Sequence, residues 1–439
     1  MCQSLPVEAS GGQSVGAMRR LLYSTTALLV MLSPGQAATT YYVAGVGADT
    51  NDGLASTSAF RTIQKAADLT KPGDTVLIMD GTYTNAWPSG PAVELKNSGK
   101  PDAWIMFKAA PGQHPVLAFT GNQAIYSKNA SYIEINGLTI VGNNAKMTLD
   151  YALAHQDKDD PLCNGSGIFL DGRGQGAKLP HHYRIVNNSV SECGGGGIGA
   201  CEADDLDIEN NRVFDNSWYT RWGTSGISVC VMRDFDSSPG YRTIIRGNLV
   251  YNNFTQVPWK ETHKMTDGNG IIVDSGNDTH YTGRTLVANN ISVHNGGSGI
   301  HAFHSAHVDI INNTTWHNSQ KLDYGEIFSN SSSDVNIVNN ICVADDGKPM
   351  NADWHNQDVV YDHNLMFGGK APVVPGEHTI TADPLFVKPN AAPVRSDFKL
   401  KPGSPAHGAA ITPSYEPTLV LTGAGDSLSE IDLGAFFLP

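Results

Sequence analysis

Charge is scarce in this 439-residue chain: Asp, Glu, Lys and Arg make up 16% of it, and 29 basic residues face 43 acidic ones, for a formal net charge of −14. That balance excludes nucleic-acid binding through a broad basic surface. Long apolar runs are lacking too. The stretch from Leu21 to Leu32 is too short to cross a bilayer, and no other segment combines the length and apolarity of a membrane span. No stretch sustains a 3.6-residue apolar period for long, and Gly, Asn and Ser recur too often for extended helices. With 40% hydrophobic residues and 46 glycines, the chain still has the material for a core and is not a solvated disordered polymer.

The N-terminal 38 residues read as a leader. Met18-Arg19-Arg20 opens a short positive region, the apolar run follows, and Ser33-Pro34-Gly35-Gln36-Ala37 precedes a cut after Ala37 or Ala38, with Met18 the expected start. The expected product is a monomer of residues 39–439 released to a periplasm or the outside, where disulfides are permitted.

A repeat dominates the rest. Seven apolar-polar segments end in an Asn at 188, 211, 248, 290, 313, 340 and 364, at spacings of 23, 37, 42, 23, 27 and 24 residues. A minimum near 23 suits one turn of a coil with three short strands, and the two long gaps suit loop insertions. Out of phase with it recur Gly167-Ile168, Gly197-Ile198, Gly226-Ile227, Gly270-Ile271 and Gly299-Ile300, with a degenerate copy expected at Gly325. The fold that satisfies both is an all-β, single-stranded right-handed parallel β-helix of roughly ten rungs, about 50 Å long at one strand spacing per rung. The repeated Asn would stack into a hydrogen-bonded ladder at one corner, making it scaffold rather than a binding surface.

Tyr41-Tyr42-Val43-Ala44, Asp49-Thr50-Asn51-Asp52-Gly53, Phe60-Arg61-Thr62-Ile63-Gln64-Lys65-Ala66 and Lys71-Pro72-Gly73-Asp74-Thr75-Val76 resemble the opening cap of secreted β-helix proteins similar to family 9 pectate lyases. Asp383-Pro384-Leu385-Phe386, Asp397-Phe398-Lys399-Leu400 and Pro402-Gly403-Ser404-Pro405-Ala406 are similar to their closing segment. Residues 39–120 would then be the cap and first rungs, 121–370 the central rungs and 371–439 the closing segment. Thr62 to Leu69 reads as a short amphipathic helix plugging the open end, which hides the first strand edges.

The connections ending at Gly226 and Gly270 exceed the bare connection by 6 and 13 residues, and three corners on the other side of the Gly-Ile strand carry 6 to 8 extra. Function concentrates on such loops, and the resemblance implies that the strand between them floors a polysaccharide groove. The inserted residues include Trp218, Arg221, Trp222, Trp259, Lys260, His263 and Lys264. Indole faces stack on sugar rings, and Arg and Lys bind carboxylates. Alternation sends Phe169, Asp171, Ser228, Cys230, Ile272, Asp274, His301 and Phe303 outward on the floor.

Eliminating across a uronide needs a neutralised carboxylate, a base for the C5 proton and protonation of the leaving oxygen. Lys264 is the leading base, Arg221 or Lys260 the carboxylate partner and His301 an alternative base or acid, with His263 and His304 beside the substrate. Ca²⁺ is the expected cofactor, with Asp267 and Asp274 as its acidic ligands. Asp267 could also merely cap the Asp267-Gly268-Asn269-Gly270 turn. The expected activity is polysaccharide lysis at uronic acids. A glycoside hydrolase using Asp267, Asp274 and Glu261, a uronan epimerase, or a non-catalytic glycan-binding surface protein keeping the tryptophans are the alternatives. Asp159-Asp160, Asp204-Asp205 and Asp345-Asp346 read as solvated corners.

Equivalent positions in adjacent rungs lie about one strand spacing apart, within disulfide reach. Bridges Cys163 to Cys193 and Cys201 to Cys230 are therefore expected, with Cys342 a buried thiol.

Overall fold

The computed structural model describes residues 37–85, 90–411 and 433–434. Residues 1–36 of the expected leader, Cys2 among them, lie outside the described residues. Three parallel sheets wind as one right-handed coil: sheet A of eleven strands, sheet B of ten and sheet C of nine. One turn runs through Asp204–Glu209 in sheet A, Arg212–Phe214 in sheet B and Ile227–Cys230 in sheet C, then Tyr241–Arg246 stacks on the first. No helix among the described residues is long and apolar enough to cross a membrane.

Rungs register on apolar residues. Ile185, Ile208, Ile245, Val287, Ile310 and Ile337 pair in succession along sheet A, each buried. The Gly-Ile landmarks open sheet C, where Ile168, Ile198, Ile227, Ile271, Ile300 and Ile327 are fully buried. The preceding glycine is required by a tight corner: a Cβ on Gly197 would lie 2.4 Å from Val213 Cγ1. At the sixth rung Ile300 pairs with Ile327, so Glu326, not Gly325, occupies the glycine column.

The Asn ladder is present. From Asn188 through Asn211, Asn248, Asn290, Asn313 and Asn340 to Asn364, each side-chain amide donates to the next Oδ1 at 2.9–3.1 Å. A second ladder, unanticipated, runs at the far end of the sheet B strands through Asn216, Asn253, Asn295 and Asn318.

Helix α1 (Ile63–Leu69) covers the first rungs. Thr62 caps it by accepting from Lys65 N at 3.2 Å, and it buries Ile63, Ala66 and Ala67. The closing segment lies along the outer face of sheet B, where Phe386, Phe398 and Ala406 pack on Leu249, Tyr251, Ile291, Val293 and Leu365. Sheet A presents ion pairs outward, including Arg246 with Glu209 at 3.0 Å and Arg284 with Asp334 at 2.8 Å. Sheet C alone turns an outer face toward long loops on both sides.

Two expectations fail here. Cys201 and Cys230 are bonded across adjacent rungs, 4.7 Å apart at Cα, but Cys163 and Cys193 are free and buried. The chain before Ser166 has left the coil for helix α3, Pro161–Asn164, after the earlier helix α2, Leu149–Ala154. Counting four residues back from Gly167 therefore reaches a helix instead of a rung. Nor is Asp204 solvated. It is fully buried, ion-paired with Arg242, and accepts from Tyr281 Oη at 2.8 Å and Phe235 N at 2.6 Å. With Asp205 N also donating at 3.0 Å, four donors on one carboxylate make this a structural knot.

Candidate active site

Sheet C supplies a floor whose outward positions form two columns. The first runs Tyr126, Phe169, Gly199, Ser228, Ile272, His301 and Phe328. The second runs Asp171, Cys201, Cys230, Asp274, Phe303, Asn330 and Trp354. The expected outward residues Phe169, Asp171, Ser228, Cys230, Ile272, Asp274, His301 and Phe303 all fall in these columns. Loops 142–165, 215–226 and 252–270 wall one side, and 172–180, 231–240 and 275–283 the other. The longest wall is 142–165, with helices α2 and α3, rather than the loop that holds Lys264.

The three longer walls are knitted together. Asn164 Oδ1 accepts from Thr220 Oγ1 at 2.9 Å and Arg221 N at 3.2 Å, and Lys260 N donates to Arg221 O at 2.9 Å. Trp218 and Tyr219 pack with Ala152, Cys163 and Val257 beneath this junction. Trp218 also donates Nε1–H to Asn252 O at 3.2 Å, so it is inter-loop packing.

Above the junction the cations gather on one indole. Lys260 Nζ lies 3.9 Å and the Arg221 guanidinium 5.8 Å from the Trp222 ring centre. Such contacts hold cations without neutralising them. Arg221 Nε is buried with no hydrogen-bond partner, and Lys260 has a 3.4 Å ion pair with the exposed Glu261. Trp259 and Lys264 close a four-residue turn: Trp259 N donates to Lys264 O at 2.9 Å and His263 N to Trp259 O at 2.7 Å. His263 within the turn and Lys264 at its closing end are both exposed.

The carboxylates form a second layer. Asp267, at a left-handed φ of 63°, lays its Oδ2 against Gly223, where an added Cβ would approach within 2.5 Å. Loss of hydration pushes its carboxyl up to about 6, opposed by a Thr266 hydrogen bond, with Asp274 adding its charge. Asp274 is raised chiefly by burial and accepts from Ser275 Oγ at 2.7 Å. His304 is turned to the rim, pairing with Asp278 at 3.0 Å.

His301 points outward yet is only 5% exposed. Phe328 stacks on it at 4.5 Å and 6°, and Nδ1 meets Ser298 Oγ at 2.6 Å. Burial pushes its imidazole down to about 3, so it is neutral and a feeble base at physiological pH. On earlier rungs, missed from sequence, Arg173 grips Asp171 at 2.7 and 3.2 Å, and Tyr126 donates to the same carboxylate at 3.2 Å. Neither Tyr126 nor Arg173 belongs to a recurring motif. Only the extra length of the corner at 172–180 pointed there.

This architecture defines a right-handed parallel β-helix protein with an open, loop-walled groove. Residues 41–194 match the sequence profile of the Pel9A-like, right-handed β-helix region, so the resemblance carried by Tyr41 to Val76 holds for that part of the chain. The crystal structure of pectate lyase Pel9A shares the fold, with 17% identity and a TM-score of 0.53, over 92% of this chain and 97% of that one. The structure of XylC in complex with xylose is 12% identical with a TM-score of 0.43, over 79% and 87%. A rhamnogalacturonan lyase is 15% identical with a TM-score of 0.39, over the same shares. No curated protein matches the chain in sequence.

Proposed function

We propose that the protein is an exported carbohydrate-active enzyme that cleaves a uronic-acid polysaccharide by β-elimination in the sheet C groove. The observation that carries this reading is the pairing of Arg221 and Lys260 over Trp222 on the groove wall, in a molecule of net charge −14. An apolar ring face beside two cations suits a sugar bearing a carboxylate. The disulfide at Cys201 and Cys230 fits an oxidising compartment.

In this reading Arg221 and Lys260 bind the carboxylate at C5 and stabilise the charge that develops as the C5 proton leaves. Lys264 takes that proton. The C5–H electron pair becomes the C4–C5 double bond, the C4–O bond breaks, and the leaving oxygen is protonated by water in the open groove. His301, stacked with Phe328, serves as packing within the floor.

No step here is routed through Ca²⁺. Ca²⁺ takes six to eight oxygen ligands, and among the described residues Asp267 and Asp274 have no third carboxylate, His or Cys gathered with them. They do not form a ready cage.

A hydrolytic reading has its own support in the carboxyl of Asp267, raised to about 6, which suits a general acid with Asp274 as partner. The deciding experiment incubates the mature protein with a panel of acidic polysaccharides, with Ca²⁺ and with chelator, and follows ultraviolet absorbance and reducing ends together. Rising absorbance supports elimination. Reducing ends without absorbance support hydrolysis. Altered sugar configuration without cleavage supports epimerisation, and retention of glycan with no chemistry supports a binding protein.

A further inference from the structure

At the opposite side of the coil, on the corner between the last strands of sheets A and B, three side chains converge outside any groove. Asp362 ends the sheet A strand Gln357–Asp362, His363 forms the corner before Leu365–Gly368, and His378 comes from the return segment that follows. We propose that Asp362, His363 and His378 form a binding site for a divalent transition metal of the zinc class, which clips the return segment to the final rung.

The ligand atoms are already at coordinating separations. Asp362 Oδ2 lies 2.9 Å from His378 Nδ1 and 3.1 Å from His363 Nδ1, and all three atoms lie within 4.8 Å of one another. Two ligands bound at about 2.0–2.1 Å to one ion, at octahedral or tetrahedral angles, sit roughly 2.9–3.4 Å apart. The two imidazoles stack at 4.5 Å and 25°.

His363 Nδ1 is the telling atom. It is buried and makes no hydrogen bond, although a carboxylate oxygen lies 3.1 Å away. A buried polar nitrogen left unpaired is costly, and a metal would satisfy it where the hydrogen-bond geometry fails. The carboxylate is oriented for the purpose. Asp362 Oδ1 accepts from the backbone amides of His363 at 2.9 Å and His378 at 2.7 Å, fixing the group and leaving Oδ2 toward the imidazoles. Outer hydrogen bonds of this kind hold ligating carboxylates in place. His378 is 56% exposed on its side chain, so water can complete the coordination.

Two neutral imidazoles and one carboxylate select zinc, nickel or copper over calcium and magnesium, which prefer oxygen. The ion would be structural. The site is on the corner between sheets A and B, whereas the groove is floored by sheet C. The return segment already adds a rung here, with Ile380 N donating to Asn364 O and Met366 N to Ile380 O, both at 2.8 Å.

The test is calorimetric titration of metal-stripped mature protein with Zn²⁺, alongside Co²⁺ absorption to report nitrogen ligation and melting with and without metal. The expected result is one equivalent bound, a higher melting temperature with metal, and affinity reduced at least ten-fold in both His378→Ala and Asp362→Asn. His378→Gln, which keeps a hydrogen-bonding side chain beside Asp362, should lose metal equally and guards against a merely disturbed loop. Absence of saturable binding, or binding that these variants leave unchanged, overturns the proposal. Polysaccharide cleavage by the metal-free protein is expected to be unchanged, so the test stands apart from the groove assignment.

Discussion

Asn318 donates both its backbone amide and its side-chain amide to the carboxyl group of Glu326, each at 2.6 Å, in an interior where both residues are fully buried. Glu326 thus terminates the second asparagine ladder, filling the column that glycine occupies on five earlier rungs. Loss of hydration pushes its carboxyl up to about 8, although the Asn318 hydrogen bonds oppose the shift.

A raised carboxyl binds its proton more tightly in the folded state. The contribution of Glu326 to folding stability is therefore greatest below the unfolded value near 4.5, declines as pH rises toward about 8, and is level above it. Glu326→Gln should flatten that decline, which is worth a few kcal/mol at most. Melting temperatures from pH 4 to 9 check this; an unchanged slope in the variant would place the proton elsewhere.

The first ladder should be costly to interrupt. Asn248 Oδ1 accepts from Asn211 N at 2.9 Å and Nδ2 at 3.0 Å, while its own Nδ2 donates to Ile208 O and Asn290 Oδ1, both at 2.9 Å. Asn248→Ala leaves several of these groups buried without partners, at roughly 1–3 kcal/mol for each. A loss of about 3–5 kcal/mol by denaturant unfolding is expected. A loss below 1 kcal/mol would show that water repairs the gap.

Cysteine chemistry offers a direct check. Non-reducing peptide mapping should find one linked pair, Cys201 with Cys230, and alkylation of Cys163, Cys193 and Cys342 only after unfolding, since all three are buried. Burial pushes the Cys163 thiol up to about 11, which also slows its reaction. Replacing Cys230 by Ser should cost about 3 kcal/mol for a crosslink closing 29 residues. Because Cys230 registers beside Asp274, it should also disturb the floor. A linked Cys163 and Cys193 would contradict the α3 placement.

The coil was legible because its period is written in residue types that each have one task. Asn turns the corner, Gly admits the tight approach and Ile faces inward. The second ladder was equally legible: Asn216, Asn253, Asn295 and Asn318 each follow a first-ladder Asn by five residues. The failures arise where the chain leaves the period. Helix α3 displaces Cys163 from its counted rung, and the corner after Cys201 buries Asp204 against Arg242. The site was less legible than the coil. Lys260 and Arg221 meet through a backbone hydrogen bond between two loops, with Asn164 from a third loop holding Arg221, and His301 is buried with Phe328 stacked on it. Contacts between separate insertions leave no spacing signal.

The groove assignment predicts a pattern of rates. Lys264→Ala should lower kcat/KM by at least a hundred-fold, as expected for a lost general base. Lys260→Ala should act mainly on KM, through the carboxylate. Asp267→Asn should cost less than ten-fold under elimination. If instead Asp267→Asn abolishes activity and removes an alkaline limb near pH 6, where its carboxyl titrates, the enzyme is a hydrolase.

The later rungs predict how far the glycan reaches. Trp354 is 50% exposed at the end of sheet C, its ring edge-on to Phe328 at 6.2 Å and 79°, while Phe328 in turn stacks on His301. Register places it beyond Asn330 in the same outward column as Asp274 and Phe303. An exposed indole held by a second ring is a platform for a sugar several rungs from the proposed chemistry. Stacking of about 1 kcal/mol would be lost in Trp354→Ala, raising KM roughly five-fold on long chains with kcat unchanged. Short oligosaccharides that do not reach Trp354 should show no change, and an equal penalty on short and long substrates would mean that the mutation acts through Phe328 and His301 on the floor itself.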